Sequence, residues 1–121
     1  MSTPIRVMVL DDEEAIAATL KMRLKRAGFE VVGPFYEPGT ALDAANSNQV
    51  DLGVLDVNLG PGGTSVDVAA CLQDKGIPFL FLSGFGASGT DMTDSFPSAP
   101  VVGKPVAFAN LLESINTLAR T

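Results

Sequence analysis

Reactive side chains stand directly after apolar runs at four places in this chain. Asp56 closes the run Leu52, Val54 and Leu55, and a loop of Gly60, Pro61, Gly62 and Gly63 soon follows it. Asp11 and Asp12 come straight after residues 6–10, Ser83 ends the run FLFLS, and Lys104 lies two residues beyond Val101 and Val102. Random placement would scatter such residues, so the bias towards strand ends points to one shared site at the carboxyl edge of a sheet. Three carboxylates converging there repel one another and raise one another's pKa values unless a cation joins them. A hard divalent ion such as Mg²⁺ suits a few carboxylates, a backbone carbonyl and several waters. One carboxylate can then stay ionised and attack a phosphoryl group. Lys104 would offset charge on the equatorial oxygens, and the Ser83 hydroxyl could donate a hydrogen bond to one of them. Asp56, alone on a central strand, is the best nucleophile, and Asp11 and Asp12 are placed to hold metal. The competing role for that pair is helix N-capping.

The elements that must position these residues alternate along the chain. Residues 5–10 read as a first strand. Glu13 to Ala27 carries Ile16, Leu20, Leu24 and Ala27 at helical spacing, with acids at its start and bases at its end, and Gly28 stops it. FEVVG at 29–33 is a short second strand. After Pro34, Pro38 and Gly39, the alanine-rich stretch 40–46 forms a second helix. Residues 51–55 make the third strand. Thr64 or Ser65 caps a third helix with Asp67 in its first turn and Val68, Ala69 and Leu72 buried, until Gly76 ends it. Pro78 opens the fourth strand. Residues 84–100 lose all periodicity, so mostly loop is expected there, with a single turn near Asp91 to Ser95. Val101 and Val102 form a fifth strand, and Phe108, Leu111, Leu112, Ile115, Leu118 and Ala119 mark a last helix. Strands alternating with helices give a doubly wound α/β fold: a parallel sheet with helices on both faces.

Composition limits the function classes. A chain of 121 residues, 46% hydrophobic and 18% charged, suits one globular domain with no internal repeat or linker. Its net charge of −6 repels nucleic acid and anionic membranes, and Lys21, Arg23, Lys25 and Arg26 read as a solvated face near a helix carboxyl end. Neither a secretory signal nor a membrane span is legible, so a cytoplasmic protein is expected. The absence of histidine excludes histidine triads, histidine metal sites and a role as histidine phosphodonor. The single Cys71 cannot form an internal bridge and reads as a small buried side chain.

The ordered set LDDEE, VLDVNLG, FLSG and VGKP resembles the receiver domain of two-component response regulators over essentially the whole chain. The resemblance implies a five-stranded, flavodoxin-like sheet of order 2-1-3-4-5. It makes Asp56 the phosphoacceptor from a histidine kinase or histidine phosphotransferase, and it has Asp12, Asp56 and the carbonyl of Asn58 bind Mg²⁺. Asp11 would orient the metal's waters, Ser83 would be the switch hydroxyl, Lys104 would pair with the phosphoryl group, and Pro105 would be cis. The stretch GIPFLFLSGFG is similar to the subfamily with the Phe-Ala-Thr-Gly-Tyr type signature, in which the fourth helix is loosened or replaced by loop. One departure is Val101, where many receivers carry an aromatic switch residue; Phe85 is a possible substitute, read here as loop packing.

On this reading phosphorylation orders residues 84–100 and remodels the 84–121 face for a downstream protein. Alternatively the phosphoryl group is passed on or drained from a kinase. With the chain stopping after the last helix, no attached effector domain is expected. Two other classes remain open: a small metal-dependent phosphatase or phosphotransferase with Asp56 as nucleophile, and a binding module that never handles phosphate. Haloacid-dehalogenase-type enzymes usually place an aspartate two residues after the nucleophile, where this chain has Asn58, and carry a cap domain.

Overall fold

The computed structural model describes residues 4–47, 49–59, 63–84 and 95–119. Among them, β1 (Arg6–Leu10), β2 (Glu30–Phe35), β3 (Leu52–Asp56), β4 (Phe79–Ser83) and β5 (Val101–Gly103) pair in parallel in the order β2-β1-β3-β4-β5. The helices are α1 (Glu14–Arg26), α2 (Pro38–Asn46), α3 (Val66–Asp74) and α4 (Phe108–Ala119). Period-two alternation sorts the strand residues into two cores. Val7, Val9, Leu52, Val54, Leu80, Leu82 and Val102 pack against α1 and α4 through Leu20, Leu24, Leu111 and Ile115. Met8, Leu10, Leu55, Phe79 and Phe81 pack against α2 and α3 through Ala41, Ala45, Val68, Ala69 and Leu72. With both faces covered, β3 and β4 are buried at every position, which is why they read as near-continuous apolar runs.

Helix ends follow the sequence signals with some shifts. Beyond α1, Gly28 takes φ +98°, its N–H donates to the Lys25 carbonyl at 3.1 Å, and the Phe29 N–H donates to Leu24 at 3.0 Å. Gly76 ends α3 in the same way, with the Ile77 N–H donating to Leu72 at 2.9 Å. Both satisfy orphan carbonyls with a residue that tolerates a left-handed backbone. α2 begins at Pro38, two residues before the expected start at Thr40. Proline suits the first helical turn, where its missing N–H has no partner to lose. β2 runs on to Phe35, past the expected end at Gly33. At the N-cap of α3, Ser65 makes no side-chain cap bond; the Val66 N–H donates instead to Thr64 Oγ1 at 3.4 Å.

The expected buried Cys71 is half-buried instead, its Sγ 3.4 Å from Asn46 Oδ1. Arg23, Lys25 and Arg26 are exposed in the last turn of α1, and the Arg23 guanidinium lies 5.4 Å from the centre of the Phe108 ring. Residues 85–94, on which most of the expected loop and Phe85 fall, lie outside the described residues. Just past them Phe96 is buried, its ring centroid 5.5 Å from that of Phe79 and 6.0 Å from that of Phe81. A core anchor therefore sits inside the stretch read from sequence as unpatterned. No helix among the described residues is long and apolar enough to cross a membrane.

Candidate functional site

The alternation that builds the core also builds the site. Val7 and Val9 lead to Asp11, Leu52 and Val54 lead to Asp56, and Val102 leads to Lys104. All three polar residues thus continue the row that faces α1 and α4, at the point where the strands run out of core to fill. Leu10 is in register with Leu55, so the next positions, Asp11 and Asp56, stand on neighbouring strands about 4.8 Å apart. The ladder extends far enough to hold them. The Asp11 N–H donates to Phe35 at 3.0 Å, the Val57 N–H to Leu82 at 2.9 Å, and the Lys104 N–H to Ser83 at 2.8 Å.

Lys104 Nζ sits among the acids. It lies 2.9 Å from Asp56 Oδ2, 3.0 Å from Glu13 Oε1 and 3.2 Å from Asp11 Oδ2. Asp11 is fully buried and Asp56 is 4% exposed. Their other oxygens accept backbone N–H groups, Asp11 Oδ1 from Glu13 at 2.9 Å and Asp56 Oδ1 from Asn58 at 3.3 Å. Asp11 Oδ2, despite its ion-pair distance to Lys104, receives no hydrogen bond. A buried carboxylate oxygen left without a hydrogen bond is costly, and it leaves room for a further cation beside Lys104. One ligand atom from each of Asp11, Asp12, Glu13 and Asp56 can be chosen so that all lie within 4.8 Å of one another. Within it the Asp11, Asp12 and Asp56 oxygens fit a hard divalent ion such as Mg²⁺, while Glu13 is engaged by Lys104.

Electrostatics agree. Burial, with the negative field of Asp11, pushes the Asp56 carboxyl up to about 7 against the opposing pull of Lys104. Burial would lower the Lys104 ammonium, but its hydrogen bonds to Asp56 and Glu13 and the nearby charge of Asp56 and Asp11 outweigh this and raise it. Lys104 therefore stays cationic, while Asp56 needs a further positive charge to be fully ionised at neutral pH.

The other residues expected from sequence lie at the same edge. Asp12 is exposed beside Asp11, Ser83 is buried at the end of β4 in register with Gly103, and Asn58 bridges to Thr64 as the chain turns back after β3. The Lys104–Pro105 peptide is cis, as expected. Sequence reasoning missed Glu13, which it assigned to the start of a helix. The signal was present as an unbroken acidic run from Asp11 to Glu14.

No protein-family model matches the chain. Among curated relatives, the transcriptional regulatory protein PrrA of Mycobacterium tuberculosis is 31% identical over 120 residues, which cover 98% of this chain and 51% of PrrA. The chain spans about half the length of the curated relatives it matches. Among solved structures, SdrG from Sphingomonas melonis Fr1 is 30% identical with a TM-score of 0.82 over 98% of both chains. SdrG, there assigned to Pseudomonas melonis Fr1, has also been solved in a BeF3-activated conformation, 29% identical with a TM-score of 0.78 over 98% of this chain and 99% of that one. A response regulator receiver protein from Sinorhizobium medicae WSM419, 22% identical, shares the fold with a TM-score of 0.85 over 98% of this chain and 96% of its own. With this sheet order and this acidic edge, the chain belongs to the response-regulator family as a receiver domain of two-component signalling.

Proposed function

We propose that Asp56 accepts a phosphoryl group from a histidine kinase or histidine phosphotransferase in a Mg²⁺-dependent reaction. The observation that carries this is the Lys104 ammonium 2.9 Å from Asp56 Oδ2, beside a buried Asp11 oxygen that lacks a hydrogen bond. An Asp56 oxygen attacks phosphorus, the bond from phosphorus to the donor breaks, and the donor leaves with the electron pair. Lys104 steadies the charge on the transferred group, and the Ser83 hydroxyl donates to one of its oxygens. Asp12, Asp56 and the Asn58 carbonyl would hold a Mg²⁺ ion, with Asp11 placed to orient its waters, and the ion would supply charge neutralisation. The domain is then a phosphoacceptor, with at most self-phosphorylation from small donors and slow loss of the group.

Phosphorylation of Asp56 draws Ser83 and Lys104 inward and changes the 84–105 segment, which a protein partner reads across the 84–121 face. The similarity of GIPFLFLSGFG to the Phe-Ala-Thr-Gly-Tyr subfamily supports this segment as the moving part. SdrG, with its BeF3-activated conformation, supports a site that responds to a phosphoryl mimic. Absence of nucleic-acid binding and a cytoplasmic setting belong to the same proposal. Incubation with acetyl phosphate and Mg²⁺ followed by intact mass measurement tests it. One labile phosphoryl group is expected, lost in Asp56→Ala; turnover of phosphomonoesters without that gain would favour a phosphatase.

A further inference from the structure

Glu13 takes the N-cap position of α1 by backbone conformation, with φ −89° and ψ 105°, yet its side chain makes no cap hydrogen bond. Its Oε1 instead lies 3.0 Å from Lys104 Nζ, on the same ammonium that pairs with Asp56 at 2.9 Å. Among the described residues, the three acids paired with that ammonium differ in what holds them. Asp11 and Asp56 are buried at strand ends, whereas the Glu13 side chain is 57% exposed and reaches in from the rim. Among the acids paired with Lys104 in the described residues, it is the one that can swing into water at little cost. A Glu13 carboxylate oxygen also falls within 4.8 Å of one on Asp56, on the side of Asp56 that Lys104 faces.

Taking the phosphoacceptor reading as its basis, we propose that Glu13 is a displaceable internal competitor. Its carboxylate holds on Lys104 the place that the phosphoryl oxygens take, and it must leave before transfer. A carboxylate and a phosphoryl group present similar charged oxygens to an ammonium, so the two exclude each other by both charge and volume. When acetyl phosphate is the donor, its phosphorus–oxygen bond to acetate breaks as the Asp56 oxygen–phosphorus bond forms. Acetate departs with the electron pair, and the Lys104 ammonium passes from Glu13 to the phosphoryl oxygens. Glu13 is thus a positioning residue that slows entry of anionic donors.

The test compares Glu13→Gln and Glu13→Ala with wild type and with Glu14→Gln, an exposed acid one residue along. All are run at saturating Mg²⁺ with acetyl phosphate, and phosphorylated protein is followed by intact mass. Both Glu13 variants are expected to be phosphorylated on the order of 3- to 10-fold faster, with a weaker salt dependence, and Glu14→Gln to stay within about 2-fold of wild type. Without any donor, the Lys104 Nζ resonance of ¹⁵N-lysine-labelled protein is expected to move in Glu13→Gln and to stay put in Glu14→Gln. Glu13 variants no faster than a wild type that does gain phosphate, or an unmoved Lys104 resonance, would overturn this inference alone. A wild type that gains no phosphate would overturn the phosphoacceptor reading and this inference with it.

Discussion

Asp11 and Asp56 follow directly on Leu10 and Leu55, a register pair of adjacent parallel strands, so two acids 45 residues apart in sequence stand side by side with Lys104 bridging them. The register that packs Leu10 against Leu55 also produces the charge cluster. Its consequences for stability can be measured.

Burial and the charge of Asp11 push the Asp56 carboxyl up to about 7 from an ordinary carboxylate value of 3.8. The sign follows from linkage: a carboxyl whose folded pKa is raised opposes folding once ionised, an effect absent below the unfolded pKa and complete above the folded one. In metal-free buffer, Asp56→Asn is expected to match wild type near pH 4 and to exceed it by on the order of 2–4 kcal/mol at pH 8. Urea midpoints at both pH values check this; parallel pH profiles for the two proteins would refute it.

Lys104→Met removes the ammonium shared by Asp11, Glu13 and Asp56. Leaving buried carboxylates uncompensated is expected to cost about 3 kcal/mol at pH 8. The loss should shrink at pH 5, where Asp56 is protonated. Added Mg²⁺ should restore part of it at pH 8, and thermal melts with and without the ion report all three effects.

Phe96 is 6% exposed and packs its ring edge-on to Phe79. Phe96→Ala is expected to destabilise the domain by about 3–4 kcal/mol, the range for an aromatic ring removed from a core. A loss under about 1 kcal/mol, read from denaturant midpoints, would mean that the ring is not a core member.

At Gly28 a Cβ would meet nothing within 4 Å, so only the backbone at φ +98° resists substitution. Gly28→Ala is expected to cost about 1 kcal/mol. The same change at Gly39, which has no left-handed backbone and open space around it, should be neutral or better, and the contrast between the two isolates the conformational effect.

Much of this was legible in sequence because the site sits where periodicity ends. A buried strand must break its apolar run when it reaches the sheet edge, so Asp11, Asp56, Ser83 and Lys104 each announced themselves by position. Glu13 did not, since an acid in the first turn of a helix has a sufficient local explanation in the helix dipole. Only the tertiary approach of Lys104 gives it a second partner. Phe96 escaped for a related reason: a single aromatic between Ser95 and Pro97 has no neighbours at helical or strand spacing, and its burial depends on Phe79 and Phe81 from β4. Pro38 beside Gly39 has the pattern of a break, although proline is also favoured in a first helical turn, where it stands in α2.

The central physical claim is that Asp56 is a strained carboxylate which a divalent cation turns into a ready nucleophile. Titrating the Asp56 side-chain carbon by ¹³C NMR, with and without saturating Mg²⁺, tests it most directly. A midpoint near 7 is expected in the absence of metal, with a marked fall when Mg²⁺ is added. An ordinary carboxylate midpoint that Mg²⁺ leaves unmoved would contradict it.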